Sequence, residues 1–219
     1  MTFVYLWKIR SRSIPLALLH MAIDRFLLSR IPGVSFFKSI GTGTGEKFTP
    51  SDANPHVWGL IVVTEDAEDI ASLEKSFPIR SWRRNSISEL KLVLSPISSH
   101  GKWAGKEPFK VVEKLQGKQV VAITRARIKW KMNLLFWRSV PAVTDSLHNQ
   151  PGLIRAIGIG EAPIGLQGTL SIWSDEQALR AFAYKGEAHT AAIAATEKHR
   201  WYSEELFARF ALVSEEGSI

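Results

Sequence analysis

The stretch Val4–Gly41, VYLWKIRSRSIPLALLHMAIDRFLLSRIPGVSFFKSIG, lies over Ile123–Gly160, ITRARIKWKMNLLFWRSVPAVTDSLHNQPGLIRAIGIG, at an offset of 119 residues. The register puts Ile9 on Ile128, Pro32-Gly33 on Pro151-Gly152, and Ile40-Gly41 on Ile159-Gly160. Identities are few, but the order of elements is shared: an apolar strand, a basic bend, an amphipathic helix, Pro-Gly, and a second strand. Beyond the next loop the offset becomes 109, where Gly59–Val63 lies over Gly168–Ile172 and Asp66 over Asp175.

Working outward, Phe3–Ile9 reads as a strand, and Leu16–Leu28 as a helix with Pro15 in its first turn. Val34–Ile40 and His56–Val63 read as strands around a Gly/Thr/Pro/Asn loop, Gly41–Pro55. Glu65–Ser76 predicts a helix and Ser88–Leu94 a strand. The second copy predicts strand Val120–Ile128, helix Leu134–Leu147 kinked at Pro141, and strands Leu153–Ile159 and Leu166–Trp173. A helix N-capped by Ser174 follows, breaks near Gly186 and resumes over Ala188–His199, before a last strand, Glu205–Val213. The sum is an α+β chain of tandem ferredoxin-like βαββαβ repeats that close a dimeric-type α/β barrel within one chain. The halves are residues 1–99 and 119–219, joined by a Gly-, Lys- and Pro-rich linker or site cover, 100–118. Such a barrel forms without a partner chain.

Composition is ordinary for a globular protein of 219 residues. The absence of cysteine excludes disulfides, a thiolate-ligated haem, an iron–sulfur cluster held by this chain and a cysteine nucleophile. It fits a cytoplasmic location. A net charge of +7 suits an acidic partner or an anionic membrane face. Nothing besides the pI points to nucleic acid. Ile14–Leu28 is too short and too polar to span a bilayer, but is suited to lie along the inner-membrane surface as a peripheral contact.

The copies disagree most around Ala183–His199, where the second holds roughly ten residues that the first lacks. His189 lies there, followed by small residues, and its imidazole reads either as an axial ligand for haem iron or as a satisfied helix-start histidine. Arg125, Arg127 and Lys129 alternate on one strand face, as anion anchors or as a solvated strand end. Gly41–Lys47 resembles a phosphate loop but lacks the Lys-Ser/Thr ending and the helix that should follow it, so it reads as a flexible loop or lid. Among eight tryptophans, Trp58, Trp103, Trp173 and Trp201 fall near strand ends or loops, where a long apolar ligand would meet them, or else in the core.

Several longer motifs carry a family resemblance: Gly43–Pro50, Leu94–Phe109, Phe136-Trp137 with Val140-Pro141, Ile157–Glu161, Ser171–Asp175 and Trp201–Phe210. In these motifs, in order and over nearly the whole chain, the sequence resembles the spheroidene monooxygenase family. The resemblance implies a haem b-dependent monooxygenase of carotenoid biosynthesis. Such an enzyme oxidises acyclic carotenoids at C-2, through hydroxylation to a ketone, with dioxygen and reduced ferredoxin. It places His189 as the iron ligand; with haem bound, Arg125 and Arg127 would be cofactor-binding residues by their strand alternation, and Trp173 and Trp201 by their position near strand ends or loops. Glu187 and Ser174 depart from the family pattern, where proline is expected. The competing readings are another haem or cofactor-free monooxygenase on this scaffold, and a non-catalytic haem or lipophile binder.

Overall fold

The computed structural model describes residues 1–43, 50–66, 68–111, 119–137, 147–162, 166–185 and 201–219. The first half contains β1 (Thr2–Ile9), α1 (Ile14–Leu28), β2 (Val34–Gly43), β3 (Ala53–Thr64), α2 (Ile70–Glu74), α3 (Phe77–Asn85) and β4 (Ser86–Gly101). The second contains β5 (Val120–Ile128), β6 (Leu153–Gly160), β7 (Leu166–Trp173), α4 (Glu176–Lys185) and β8 (Tyr202–Gly217). The strands close into one antiparallel barrel, β1-β3-β2-β6-β7-β5-β8-β4. Each half supplies the sheet order expected of a ferredoxin-like unit, and β2–β6 and β4–β8 form the two seams.

Strand alternation separates two environments. Val4, Leu6, Ile61, Leu90, Leu92, Val121, Ile123, Leu170, Leu206 and Phe210 point inward and fill the lumen. Phe3, Tyr5, Trp7, Leu60 and Val62 point outward beneath the first-half helices. Val120, Ala122 and Trp173 point outward beneath α4.

The repeat extends into the backbone. Gly33 and Gly152, paired by the 119-residue offset, both adopt left-handed φ, +77° and +86°. The closing strands follow a different offset, 116, which places Leu90 on Leu206, Leu94 on Phe210 and Gly101 on Gly217. These two glycines also have positive φ, +88° and +79°, and a Cβ on either would strike a carbonyl of the opposite seam strand. Each therefore turns the chain over its neighbour, with Lys102 N–H donating to Glu205 O at 2.7 Å and Ser218 N–H to Glu89 O at 3.0 Å. Trp103 and Ile219, two residues beyond each glycine, then reach the lumen cluster.

Sequence and structure differ in several places. The segment marked as a linker begins as an extension of β4, and Trp103 and Phe109 are core residues at 1% and 4% exposure. A single helix over Glu65–Ser76 is replaced by α2 and α3, because Pro78 starts a new helix after the extended residue Ser76. The loop Gly41–Pro55 is shorter, since β2 runs to Gly43 and β3 begins at Ala53. The cap of α4 is Asp175: its carboxylate accepts the Ala178 N–H at 2.7 Å, while Ser174 donates to the same side chain. That Ala178 bond, with the Ser174 bond, lowers the Asp175 pKa. The Pro141 kink, most of the phosphate-loop-like stretch, the break at Gly186 and the helix Ala188–His199 lie outside the described residues.

Helix α1 is joined to α3 by a buried polar clamp. His20 Nδ1 lies 2.8 Å from Asp24 Oδ1, and His20 Nε2 lies 2.9 Å from Ser81 Oγ. Trp82 Nε1 donates to Asp24 Oδ2 at 3.0 Å. Asp24 is fully buried, so removing its carboxylate strands two partners in a dry interface. Asp24→Ala is expected to lose about 3 kcal/mol of stability in urea unfolding, and Trp82→Phe, which strands one acceptor only, about 1–2 kcal/mol.

Candidate active site

The barrel lumen ends in a charged cluster. Arg125 points inward from β5 and is 4% exposed. Its guanidinium donates to Glu204 and, at 3.2 Å, to Glu161. Glu161 also accepts Trp103 Nε1 at 2.7 Å and pairs across the β2–β6 seam with Lys38 at 2.6 Å. Glu204 accepts the backbone N–H groups of Ala104 and Gly105 at 3.0 and 2.7 Å. Burial works to raise the Glu204 pKa, but these N–H groups and Arg125 outweigh it and hold the carboxyl below its ordinary value. The Arg125 guanidinium lies 5.6 Å from the Trp103 ring centre. Arg125, Trp103, Ile40, Ile159 and Glu161 line a small cavity there. The Arg125 Nε is buried with no hydrogen-bond partner among the described residues.

The outer faces of the two halves carry opposite chemistry. Across β1, β3 and β2, the register aligns Phe3 with Val62 and Phe37, Tyr5 with Leu60 and Ser39, and Trp7 with Trp58 and Gly41. This face is filled. Tyr5 stacks on Trp7 at 5.4 Å, and Trp7 stacks on Trp82 at 5.1 Å. Trp7 Nε1 donates to Glu89 and the Tyr5 hydroxyl to Glu74. Burial, then the Glu74 charge, pushes the Tyr5 phenol well above its ordinary pKa.

The equivalent rows of the second half are Ala122 with Ser171 and Ala156, Thr124 with Thr169 and Gly158, and Ala126 with Gln167. Ala, Thr and Ser thus occupy positions that hold Phe, Tyr, Trp, Leu and Val in the first half, while Gly158 replaces Ser39 and Gln167 replaces Trp58. The Thr124 and Thr169 hydroxyls meet at 2.6 Å on this face. From Ala122 to Ala126 the strip of small residues runs about 13 Å along β5, at the usual strand rise, with its Ala122 end packed beneath α4. Trp173 bounds one end, fully buried, with its indole N–H on Ser171 Oγ at 2.9 Å and its ring against Phe182. Trp201 lies at the start of β8 toward the opposite end, where it packs edge-on against Phe136 at 5.8 Å.

The residues singled out from sequence therefore fall in different places. Trp173 and Trp201 lie at the two ends of the outer strip of small residues. Arg125 lies on the lumen side, engaged by two carboxylates, and Arg127 shares its strand parity but is exposed. Trp58 belongs to the filled face of the first half and Trp103 to the lumen. His189 lies outside the described residues. The reading by motif missed Glu161, Glu204 and Lys38, whose partners are distant in sequence. It also missed the small-residue strip, which the two offsets already encode. No group of three or more His, Cys, Asp or Glu residues is arranged to hold a metal ion among the described residues.

The chain is thus a single-chain α+β barrel built from two ferredoxin-like halves. The fold is similar to aldoxime dehydratase OxdRE in complex with butyraldoxime, with a TM-score of 0.61, 10% identity, and coverage of 96% of this chain and 78% of that one. A second aldoxime dehydratase structure gives a TM-score of 0.57 at 9% identity, covering 96% and 80%. No family model matches the chain. Curated relatives identify it more narrowly. It is 38% identical over 210 residues to the spheroidene monooxygenase of Rhodobacter capsulatus, covering 94% of this chain and 87% of that protein. It is 34% identical over 196 residues to the spheroidene monooxygenase of Cereibacter sphaeroides, covering 88% of this chain and 60% of that protein. The chain belongs to the spheroidene monooxygenase family and is an oxidoreductase of the monooxygenase class.

The lumen cluster yields a pH prediction. Because the folded-state pKa of Glu204 is depressed, its contribution is fully present above the ordinary carboxylate pKa and is lost as pH falls through the folded value. Glu204→Gln should flatten the acid limb of a thermal-stability profile, visible as a smaller drop in Tm between neutral and acidic pH. Arg125→Met, which leaves both carboxylates without their cation, should cost about 3–5 kcal/mol at neutral pH.

Proposed function

We propose that the chain is a haem-dependent carotenoid monooxygenase whose cofactor would be received by the outer face of the second half, with His189 as the residue that would hold the iron. The observation that supports this reading is the substitution of Ala122, Thr124, Ala126 and Thr169 for the space occupied by Phe3, Tyr5, Trp7 and Leu60. A flat macrocycle needs an apolar slot with few projecting side chains and a polar group at one edge. The residues present fit that need: Ala126 and Gly158 project little from the sheet, Trp173 lies at one end, and the Thr124–Thr169 pair offers the polar group. The family resemblance brings His189 to the same half.

Haem supplies the activation of dioxygen. The chain's own residues bind, orient and exclude water. Where two hydroxyls share one hydrogen bond, the second keeps a proton to donate to a ligand in the slot. Trp173 and Trp201 give the slot apolar ends suited to a polyene. The lumen cluster keeps Arg125 on its carboxylates, so it stabilises the barrel wall that carries Thr124 and Ala126. An acyclic carotenoid is hydroxylated at C-2 and carried on to the ketone, with electrons from reduced ferredoxin, an acidic protein matched to the basic surface. Positioning one C–H bond is the protein's largest contribution.

Two measurements test the proposal. The purified protein should show a Soret band that is lost or shifted in His189→Ala; an unaltered band in that variant overturns the ligand assignment. Ala126→Trp, which copies Trp7 into the second half, should keep the fold but lower haem content by about tenfold or more, as losses around a cofactor site do. In cells making acyclic carotenoids, with ferredoxin and oxygen present, the wild type should yield oxidised product and Ala126→Trp almost none. An unchanged carotenoid profile with the wild type would count against the substrate.

A further inference from the structure

Helix α1 is built with its polarity reversed. The side that packs on the barrel carries Ala17, His20, Asp24 and Leu28. The opposite side carries Pro15, Leu18, Leu19, Ala22 and Phe26, at helical spacing along one stripe. Leu18, Leu19 and Phe26 are 57%, 50% and 52% exposed, and Phe77, 59% exposed, lies at the start of α3 with its ring 6.4 Å from His20 of α1. A surface helix of a soluble protein normally has the reverse arrangement, and large apolar side chains gathered on one exposed ridge mark a contact surface.

The ridge is framed by cations. Arg10 and Arg12 lie at its N-terminal end, Arg25 and Arg30 toward its C-terminal end, and Arg80 and Arg84 on α3; all are exposed. None of the six forms an ion pair with a described residue, in contrast to Arg83, which Glu74 and Glu89 engage. The Arg25 guanidinium lies over the Phe26 ring at 4.5 Å, so charge and apolar surface are interleaved. Among the described acidic residues of this half, Asp24 is buried beneath the ridge, Glu74 and Glu89 are engaged by Arg83, and Glu65 and Asp69 lie against Gly33, beyond the helix end.

We propose that this ridge is a docking face for an anionic phospholipid bilayer, with Leu18, Leu19, Phe26 and Phe77 entering the headgroup–acyl boundary and the six arginines pairing with lipid phosphates. A convex apolar ridge with a basic rim meets a deformable anionic surface without needing a complementary groove. No helix among the described residues is long and apolar enough to cross a membrane, so the contact is made by one helix face. The surface lies in the first half, and the inference stands apart from the haem assignment.

The test uses the full chain and needs neither haem nor turnover. Co-sedimentation with phosphatidylcholine vesicles containing phosphatidylglycerol should retain the wild type, with much weaker retention on phosphatidylcholine alone. Leu18→Ser/Leu19→Ser/Phe26→Ser, at exposed positions, should keep the far-ultraviolet spectrum and Tm and lower the partition coefficient at least about tenfold. Arg10→Gln/Arg12→Gln/Arg30→Gln should remove the preference for phosphatidylglycerol and most of its salt sensitivity. Absence of vesicle binding by the wild type overturns the proposal, as does full binding by the apolar triple variant. A dimer that the triple variant dissociates, with no vesicle binding, assigns the ridge to a second copy and also overturns it. So does loss of ferredoxin binding in the triple variant without any vesicle binding.

Discussion

Each ferredoxin-like half has two open sheet edges, and everything else in this molecule depends on those edges pairing with each other. An unpaired edge presents a row of backbone donors and acceptors and invites aggregation. Here β4 pairs with β8 over most of their length, and β2 with β6 over Gly41–Gly43 and Gly158–Gly160. The long seam is finished by the same device at both ends, a left-handed glycine lying over the opposite strand's carbonyl. The short seam is reinforced by the Lys38–Glu161 ion pair. Closure inside one chain makes the association intramolecular, so its entropic cost does not depend on concentration.

Closure also sets the distribution of function. The lumen is filled by side chains from both halves, together with Trp103 and Phe109, so a large ligand must be received outside it. The two outer faces are the surfaces that remain. One is sealed by aromatic stacking and by the Tyr5, Trp7, Glu74, Glu89 and Arg83 network. In that network Arg83 and Lys91 overcome the burial penalty and lower the Glu74 pKa to about 2. The other is left shallow by small residues. After a duplication one copy keeps the packed, stabilising version of a face while the other is free to lose side-chain volume.

The lumen cluster and the α1 ridge extend the same division of labour. Arg125 is a buried cation on the inner face of the strand whose outer face holds Thr124 and Ala126, so its pairing with Glu161 and Glu204 stiffens the wall behind the open strip. Helix α1 spends its inner face on a polar clamp, His20–Asp24–Ser81, and its outer face on leucine and phenylalanine. Large apolar side chains gathered on one exposed ridge mark a contact surface.

Much of the fold was legible because strand alternation and Pro-Gly turns are local signals. Strands β5 and β7 are found where the apolar pattern places them, and Gly33 and Gly152 mark the same turn in both copies. Helix α3 was not read from the sequence although Pro78, Ile79 and Trp82 line its buried side, because it follows α2 after only Lys75 and Ser76 and reads as a continuation of it. The 116-residue offset of β4 and β8 emerges only from the inward-facing residues at the seam, Leu90 on Leu206 and Leu94 on Phe210. The contrast between the two outer faces was encoded in the offsets of 119 and 109, but reading it requires knowing which residues of each strand point outward. By itself the sequence determined the duplication, the strand order within each half and the family. Only the tertiary structure decided that Trp103 fills the lumen, that Arg125 faces inward while Thr124 faces out, and that α1 shows its leucines to the surroundings. Those outcomes depend on which face of a strand or helix meets the core, and that is set by barrel closure between residues more than a hundred positions apart.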